Sequence, residues 1–152
     1  VASRAAQPAT LSRLGPDQMA QIAWSFGRLR FQPQEEFFRH FEEQALELAP
    51  RFNLMQVSKI FFAYSRFRRP LDRELFASLQ AQVRAKAKKG SDLLASLFTN
   101  MSKLHKSRPE GQTVQVLVAA LAKDMKDVCA QGDTMAISNF LWACTRLKHK
   151  LS

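Results

Sequence analysis

Trp24-Ser25-Phe26-Gly27-Arg28-Leu29 is the first of four related six-residue segments in this 152-residue chain. The others are Phe62-Ala63-Tyr64-Ser65-Arg66-Phe67, Thr99-Asn100-Met101-Ser102-Lys103-Leu104 and Trp142-Ala143-Cys144-Thr145-Arg146-Leu147. Successive copies begin 38, 37 and 43 residues apart, at positions 24, 62, 99 and 142. A repeat of this length is typical of solenoids, in which each unit packs against its neighbours. The spacing predicts an all-α fold, a right-handed α-solenoid of antiparallel helix pairs with about 38 residues per repeat and roughly three and a half repeats.

Each segment closes a predicted amphipathic helix, which we call helix A. Apolar residues spaced by 3, 4, 7 and 10 positions place one face of each helix A toward a core. These core stripes are Met19, Ile22, Ala23, Phe26 and Leu29; Val57, Ile60, Phe61, Tyr64 and Phe67; Leu94, Leu97, Phe98, Met101 and Leu104; and Ile137, Phe140, Leu141, Cys144 and Leu147. Three copies follow a helix breaker with a capping side chain, at Gly15-Pro16-Asp17, Gly90-Ser91-Asp92 and Gly132-Asp133-Thr134.

A second helix, helix B, is predicted after each of the first three segments. The three copies run over about 34–48, from about 72 to near 88, and over about 112–128. Pro33, Pro70 and Pro109 lie in the preceding turns, and we expect them in the first turn of helix B, where an N–H is not needed.

The repeats are predicted at about 14–51, 52–89, 90–131 and, as a partial unit, 132–152. Before them, residues 1–13 are predicted to form a flexible basic tail. Residues 1–16 contain Arg4 and Arg13 and no acidic residue, which is also a feature of organellar transit peptides. The incomplete last unit and the start at Val1 predict that this is a piece of a longer protein.

The composition favours a helical core with a strongly basic surface. Hydrophobic residues make up 46% of the chain and the formal net charge is +10, which favours polyanionic partners, with nucleic acid as the commonest. Since no run of 18 apolar residues occurs, no membrane span is predicted. Cys129 and Cys144 do not have metal-ligand spacing and indicate a reducing compartment, so neither metal nor cofactor is expected.

Eleven of the 23 Lys and Arg residues gather near the ends of the helices A. The helix dipole explains one cation at a helix C-terminus, but two or three per repeat exceed that need. Stacked repeats would align them along a phosphate backbone. The predicted RNA-backbone-binding residues are Arg28, Arg30, Arg66, Arg68, Arg69, Lys103, Lys106, Arg146, Lys148 and Lys150.

A polar stripe runs beside the core stripe of each helix A. Its side chains either form an ordinary solvated face or read RNA bases, as in solenoids that use two or three side chains per base. The possible base-reading residues are Gln18, Gln21, Gln56, Lys59, Ser96, Asn100 and Asn139. Trp24, Phe62 and Trp142 share one position of the repeat; this spacing favours packing between neighbouring helices over stacking on bases.

The chain resembles the octotricopeptide repeat family of helical-repeat RNA-binding proteins. The segment at 22–29, Ile-Ala-Trp-Ser-Phe-Gly-Arg-Leu, is similar to the family's Trp-Ala-Leu-Ala-x-Leu-Gly segment. The segment at 33–38, Pro-Gln-Glu-Glu-Phe-Phe, is similar to its Pro-Pro-Pro-Glu-Trp-Leu segment. Heptatricopeptide, FAST-kinase and RAP-type repeats look almost as close. The resemblance implies RNA processing, stability or translation in a mitochondrion or chloroplast, within a ribonucleoprotein complex that contains other proteins.

Two function classes are left open by these patterns, and a third is not supported. The first is a non-catalytic organellar RNA binder, and the alternative is a structural subunit of an organellar ribosome that binds rRNA and proteins without sequence readout. An enzyme is not expected, because His40, His105 and His149 fall in different repeats without an acid or nucleophile at useful spacing. The sequence also lacks a phosphate-binding glycine loop.

Overall fold

A computed structural model describes residues 8–67, 69–86, 93–104 and 134–146, and within these ranges the chain is helical without strands. The all-α prediction is therefore confirmed for this part. In chain order the helices are α1 (Pro8–Leu11), α2 (Pro16–Leu29), α3 (Glu35–Leu48), α4 (Leu54–Arg66), α5 (Arg73–Lys86), α6 (Leu93–Ser102) and α7 (Thr134–Arg146). A short 3₁₀ helix, Ala49–Arg51, follows α3. Predicted helices A correspond to α2, α4, α6 and α7, and the first two helices B correspond to α3 and α5; the third lies outside the described residues.

The first two helices B begin after Pro33 and Pro70 and not on them, which corrects the prediction that these prolines occupy the first helical turn; Pro109 lies outside the described residues. Pro33 precedes Gln34, the residue that caps α3 and whose carbonyl accepts from Phe37 N–H at 3.0 Å. Pro70 lies two residues before Asp72, whose Oδ1 accepts from Leu75 N–H at 2.9 Å. Each proline thus ends the preceding turn and leaves the capping position to a polar residue.

Glutamine side chains close the N-termini of α2 and α4. Gln18 Oε1 accepts from Gly15 N–H at 3.0 Å, so Gln18, and not the predicted Asp17, provides the capping side chain of α2. Asn53 and Gln56 form a reciprocal capping box on α4, with N···O distances of 2.9 and 3.0 Å. These bonds fix where two helices A start, and therefore where their last turns lie.

The C-terminus of α2 is a Schellman motif with arginine in the position that usually holds glycine. Arg30 has φ 52° and its N–H donates to the Gly27 carbonyl, while Phe31 N–H donates to the Phe26 carbonyl at 2.9 Å. The Phe26 and Phe31 rings lie 5.1 Å apart, the apolar contact that accompanies this motif. The turn directs Leu29 into solvent, where it is 77% exposed, so its assignment to the core stripe was wrong.

The core contains the remaining described members of the first three core stripes, buried or half-buried. Val57, Ile60 and Phe61 of α4 are fully buried, and rings from α2, α3, α4 and the residue after α4 form a connected aromatic cluster. The rings in this cluster are Phe26, Phe37, Phe38, Phe41, Tyr64 and Phe67. Leu141 of α7 is 50% exposed, which corrects its predicted burial, and the Phe98 side chain lies outside the described part. Leu11 is also in the core, so packing begins before the predicted boundary at residue 14.

Helices A pack side by side in chain order. The main contacts join α2 to α4, α4 to α6, and α6 to α7, whereas α3 packs on α5 in a second layer and α1 packs on α3. The contacts between successive helices A are more extensive than those between the two helices of one repeat. The fold therefore brings equivalent positions of successive repeats next to each other.

The α2 and α4 helices approach each other closely at Gly27. A Cβ atom at Gly27 would lie 2.8 Å from the Cα atom of Ala63 and 3.4 Å from Cε1 of Phe62. Because the nearest atom belongs to the backbone of α4, a side chain at this position can be accommodated only if the two helices separate.

We therefore expect Gly27→Ala to lower the free energy of unfolding by about 1–3 kcal/mol, as overpacking does in a tight core. In an unpacked helix interior the same change would instead add about 1 kcal/mol. Urea unfolding followed by circular dichroism measures the difference. Gly15→Ala is the control, since a Cβ there would meet only Gln18 Oε1 at 4.0 Å and should cost less. A Gly27→Ala variant as stable as the wild type would contradict the tight contact.

Candidate nucleic-acid interface

Three cations occupy the same position in successive repeats. Arg28 lies in the last turn of α2, Arg66 ends α4, and Lys103 follows α6 directly. We call them the helix A cations. Arg28 and Arg66 are exposed and Lys103 is half-buried. Because α2, α4 and α6 pack side by side in this order, the three charges belong to neighbouring helices at equivalent positions.

Each helix A cation lies over an aromatic ring. The Arg28 guanidinium carbon is 5.5 Å from the centre of the Trp24 ring, and that of Arg66 is 5.4 Å from the centre of Phe62. Lys103 Nζ lies 5.6 Å from the centre of the Trp142 ring, which belongs to the following helix. These distances are those of cation–π pairs, which hold the cation in place without neutralising its charge.

The remaining predicted backbone-binding residues have different placements. Arg30 is exposed at the end of α2, close in sequence to Arg28. Arg69 is half-buried and forms ion pairs with the carboxylates of Glu35 and Glu42, so its charge is balanced by groups of the protein itself. Arg68, Lys106, Lys148 and Lys150 lie outside the described residues, as does the side chain of Arg146.

Arg69 belongs to a buried polar cluster around Glu42, which we call the Glu42 cluster. Arg69 donates to Glu35 at 2.6 Å and to Glu42 at 3.4 Å, and its guanidinium lies 4.3 Å from the centre of the Phe38 ring. The Tyr64 hydroxyl also donates to Glu42, at 2.9 Å. The cluster links α3, α4 and the turn before α5, which is a structural role.

Burial has the largest influence on the pKa values of the two titrating groups of this cluster, Glu42 and Tyr64. It raises the pKa of Glu42 above the ordinary value of 4.5, against the opposing effects of the Tyr64 hydrogen bond and the Arg69 charge. Burial, reinforced by the neighbouring carboxylate of Glu42, also raises the pKa of Tyr64 well above 10.0. Tyr64 therefore remains a hydrogen-bond donor at neutral pH.

The polar stripe is largely engaged within the protein. Gln18 and Gln56 cap their own helices, Lys59 Nζ donates to Gln21 Oε1 at 2.9 Å, and Asn100 Nδ2 donates to the Ser58 hydroxyl at 3.1 Å. The last two bonds cross from one helix A to the next. Ser96 is exposed, and the side chain of Asn139 lies outside the described part. The predicted base-reading residues thus contribute to helix ends and to lateral packing.

The sequence analysis did not predict the aromatic rings and carboxylates that contact these cations. The pairs Trp24–Arg28 and Phe62–Arg66 are each four residues apart on one helix, and this spacing was a usable signal. The Lys103–Trp142 pair spans two repeats, and Glu42 and Arg69 meet from different elements. Neither pairing has a local sequence signal.

The described residues contain no group of three or more His, Cys, Asp or Glu side chains that could hold a metal ion. His40 lies on α3 near Glu36 and Glu43, at 3.9 and 3.5 Å, in an ordinary helix-surface arrangement. None of the helices in the described part is both long and apolar enough for a membrane span. A comparison of the chain with known protein families, curated proteins and solved structures returned no match.

The Glu42 cluster makes a pH prediction possible. Because the pKa of Glu42 is raised on folding, its contribution to stability is fully present below pH 4.5 and is lost as pH rises through the folded-state pKa. Glu42→Gln cannot ionise, so we expect its stability relative to the wild type to increase between about pH 4 and pH 7. Urea unfolding at both pH values measures this difference.

Glu47→Gln, an exposed site on the same helix, is the control and should show a smaller change with pH. If Glu42→Gln instead loses stability relative to the wild type as pH rises, pairing with Arg69 outweighs burial.

Proposed function

We propose that this protein is a non-catalytic RNA-binding protein whose helix pairs form a right-handed α-solenoid. The single observation that supports binding is the placement of the helix A cations at one position of three neighbouring helices. Such an array can follow successive phosphates of one strand, and the exposed Arg30 adds a second cation at the end of α2, beyond the one that the helix dipole explains.

Contacts between successive helices A support the solenoid. Gln21 and Lys59 are 38 residues apart, which equals the first step of the repeat, and they form a hydrogen bond across α2 and α4. A bond between equivalent positions is expected when successive units stack in register. Ser58 and Asn100, which are not equivalent positions, form a second hydrogen bond between successive helices A, across α4 and α6.

An organellar setting, in a mitochondrion or chloroplast and within a ribonucleoprotein complex, is part of the proposal. It rests on the resemblance to octotricopeptide and related repeats and on the acid-free basic N-terminal segment.

The alternative, a structural subunit of an organellar ribosome, is favoured by one specific observation. Five of the predicted base-reading side chains accept or donate hydrogen bonds within the protein, at Gln18, Gln21, Gln56, Lys59 and Asn100. Phosphate contacts position a protein on RNA but carry no sequence information. Binding without sequence readout agrees with such a role.

Replacing Arg28, Arg66 and Lys103 together by Gln should weaken binding to all RNA sequences alike. For single strands each lost phosphate contact should lower the slope of log K against log salt by about 0.7. The measurement is the affinity for unstructured oligouridine and oligocytidine at two or more salt concentrations.

The matched control replaces the exposed Arg39, Arg51 and Arg73 by Gln, which removes the same total charge from other elements. We expect this variant to keep most of the wild-type slope. Equal losses in both triple variants would show that net charge alone attracts RNA, and would contradict the proposed interface.

A further inference from the structure

Trp24, Phe62 and Trp142, the rings beside the helix A cations, form a set that is only partly buried. Phe37, Phe38, Phe41 and Phe61 are no more than 2% exposed, as expected of core residues. Trp24 and Phe62 are only half-buried, and Trp142 is 41% exposed. This exposure leaves ring surface that a ligand can reach, next to a cation in each case.

A ring accompanies the helix A cation even in the third repeat, which lacks an aromatic residue at the first position of its segment. Trp24, Phe62 and Trp142 occupy the first position of their six-residue segments, but the third segment has Thr99 there, which is buried. Lys103 of that third repeat lies instead over Trp142 of the next helix. Each helix A cation therefore has a partly exposed ring beside it, whether or not its own repeat supplies one.

The position between neighbouring helices gives these rings a defined spacing. Phe62 lies beside Gly27 of α2, and its Cε1 atom is 3.4 Å from the point that a Cβ atom on Gly27 would occupy, so its ring fills the edge of the α2–α4 contact. Packed helices are separated by about 8–10 Å, and equivalent positions on α2 and α4 repeat at about this distance. The surface thus presents a cation and a ring together on α2, on α4 and between α6 and α7.

We infer that this edge binds single-stranded RNA in preference to duplex, with bases stacking on Trp24, Phe62 and Trp142 while the adjacent cations contact phosphates. The inference rests on the proposed function and adds the class of RNA. Stacking on aromatic side chains tolerates any base, because every base has a π-face. In a duplex the bases are already stacked and paired, so they cannot reach these rings.

The chain offers a direct probe of this site, because both of its tryptophans, Trp24 and Trp142, belong to the set. Titration with unstructured oligouridine should change tryptophan emission and give an affinity about tenfold or more above that for a blunt RNA duplex of the same length and at the same salt.

Trp24→Leu and Phe62→Leu should each lower the affinity for oligouridine about tenfold, leaving both the duplex affinity and the salt slope near the wild-type values. Trp24→Phe should retain most of the affinity, since a ring remains. Phe31→Leu is the control, because Phe31 is an aromatic 45% exposed outside this set. Circular dichroism and urea unfolding identify any variant whose fold is disturbed. The comparison of Trp24→Phe with Trp24→Leu in oligouridine affinity then tests whether a ring is needed at this position.

The two proposals fail in different ways. If neither RNA binds, the proposed function is wrong and this inference with it. If both RNAs bind with equal affinity and the Leu variants bind like the wild type, phosphate binding stands and base stacking is overturned.

Discussion

Gly27 lets the backbones of α2 and α4 approach so closely that no side chain fits between them. This contact sets the lateral distance between the first two helices A, and other features depend on that distance. Gln21 and Lys59 can reach each other across it, and the Phe62 ring can lie beside α2. Arg28 and Arg66 lie in the last turns of these two helices, so the same contact brings the helix ends that carry them into one layer.

The second layer is tied to the first by a different kind of interaction. Glu42 of α3 accepts from Tyr64 of α4, and the Arg69 side chain reaches it from the turn before α5. A partly buried carboxylate is unfavourable unless donors surround it, and burial raises the pKa of Glu42 against the opposing effects of Tyr64 and Arg69. The cluster brings together groups from α3, α4 and the turn before α5, so it ties the two layers at one point.

Local periodicity predicted the parts of this structure that depend on one helix at a time. The buried residues Val57, Ile60 and Phe61 follow from the amphipathic pattern, and the first step of 38 residues reappears as the Gln21–Lys59 hydrogen bond. Features that depend on how a helix ends, or on contacts with residues distant in sequence, were not predictable. Leu29 points to solvent because Arg30 turns the chain in a left-handed conformation, and Arg69 is sequestered by carboxylates from another repeat. The polar stripe was interpreted as a reading surface because the Lys59–Gln21 and Asn100–Ser58 hydrogen bonds join different helices and have no local sequence signal.

The contacts of the helices A are made mainly between neighbours in chain order, from α2 to α4, α6 and α7. Such contacts join helices about one repeat apart, and in a solenoid built in this way folding can start at one helix pair and spread along the chain. The same arrangement bears on how such a protein can change in length. In the proposed solenoid, duplication of one unit would add another helix A, with its cation, to the row. A longer surface could in this way arise by recombination, without redesign of the other units.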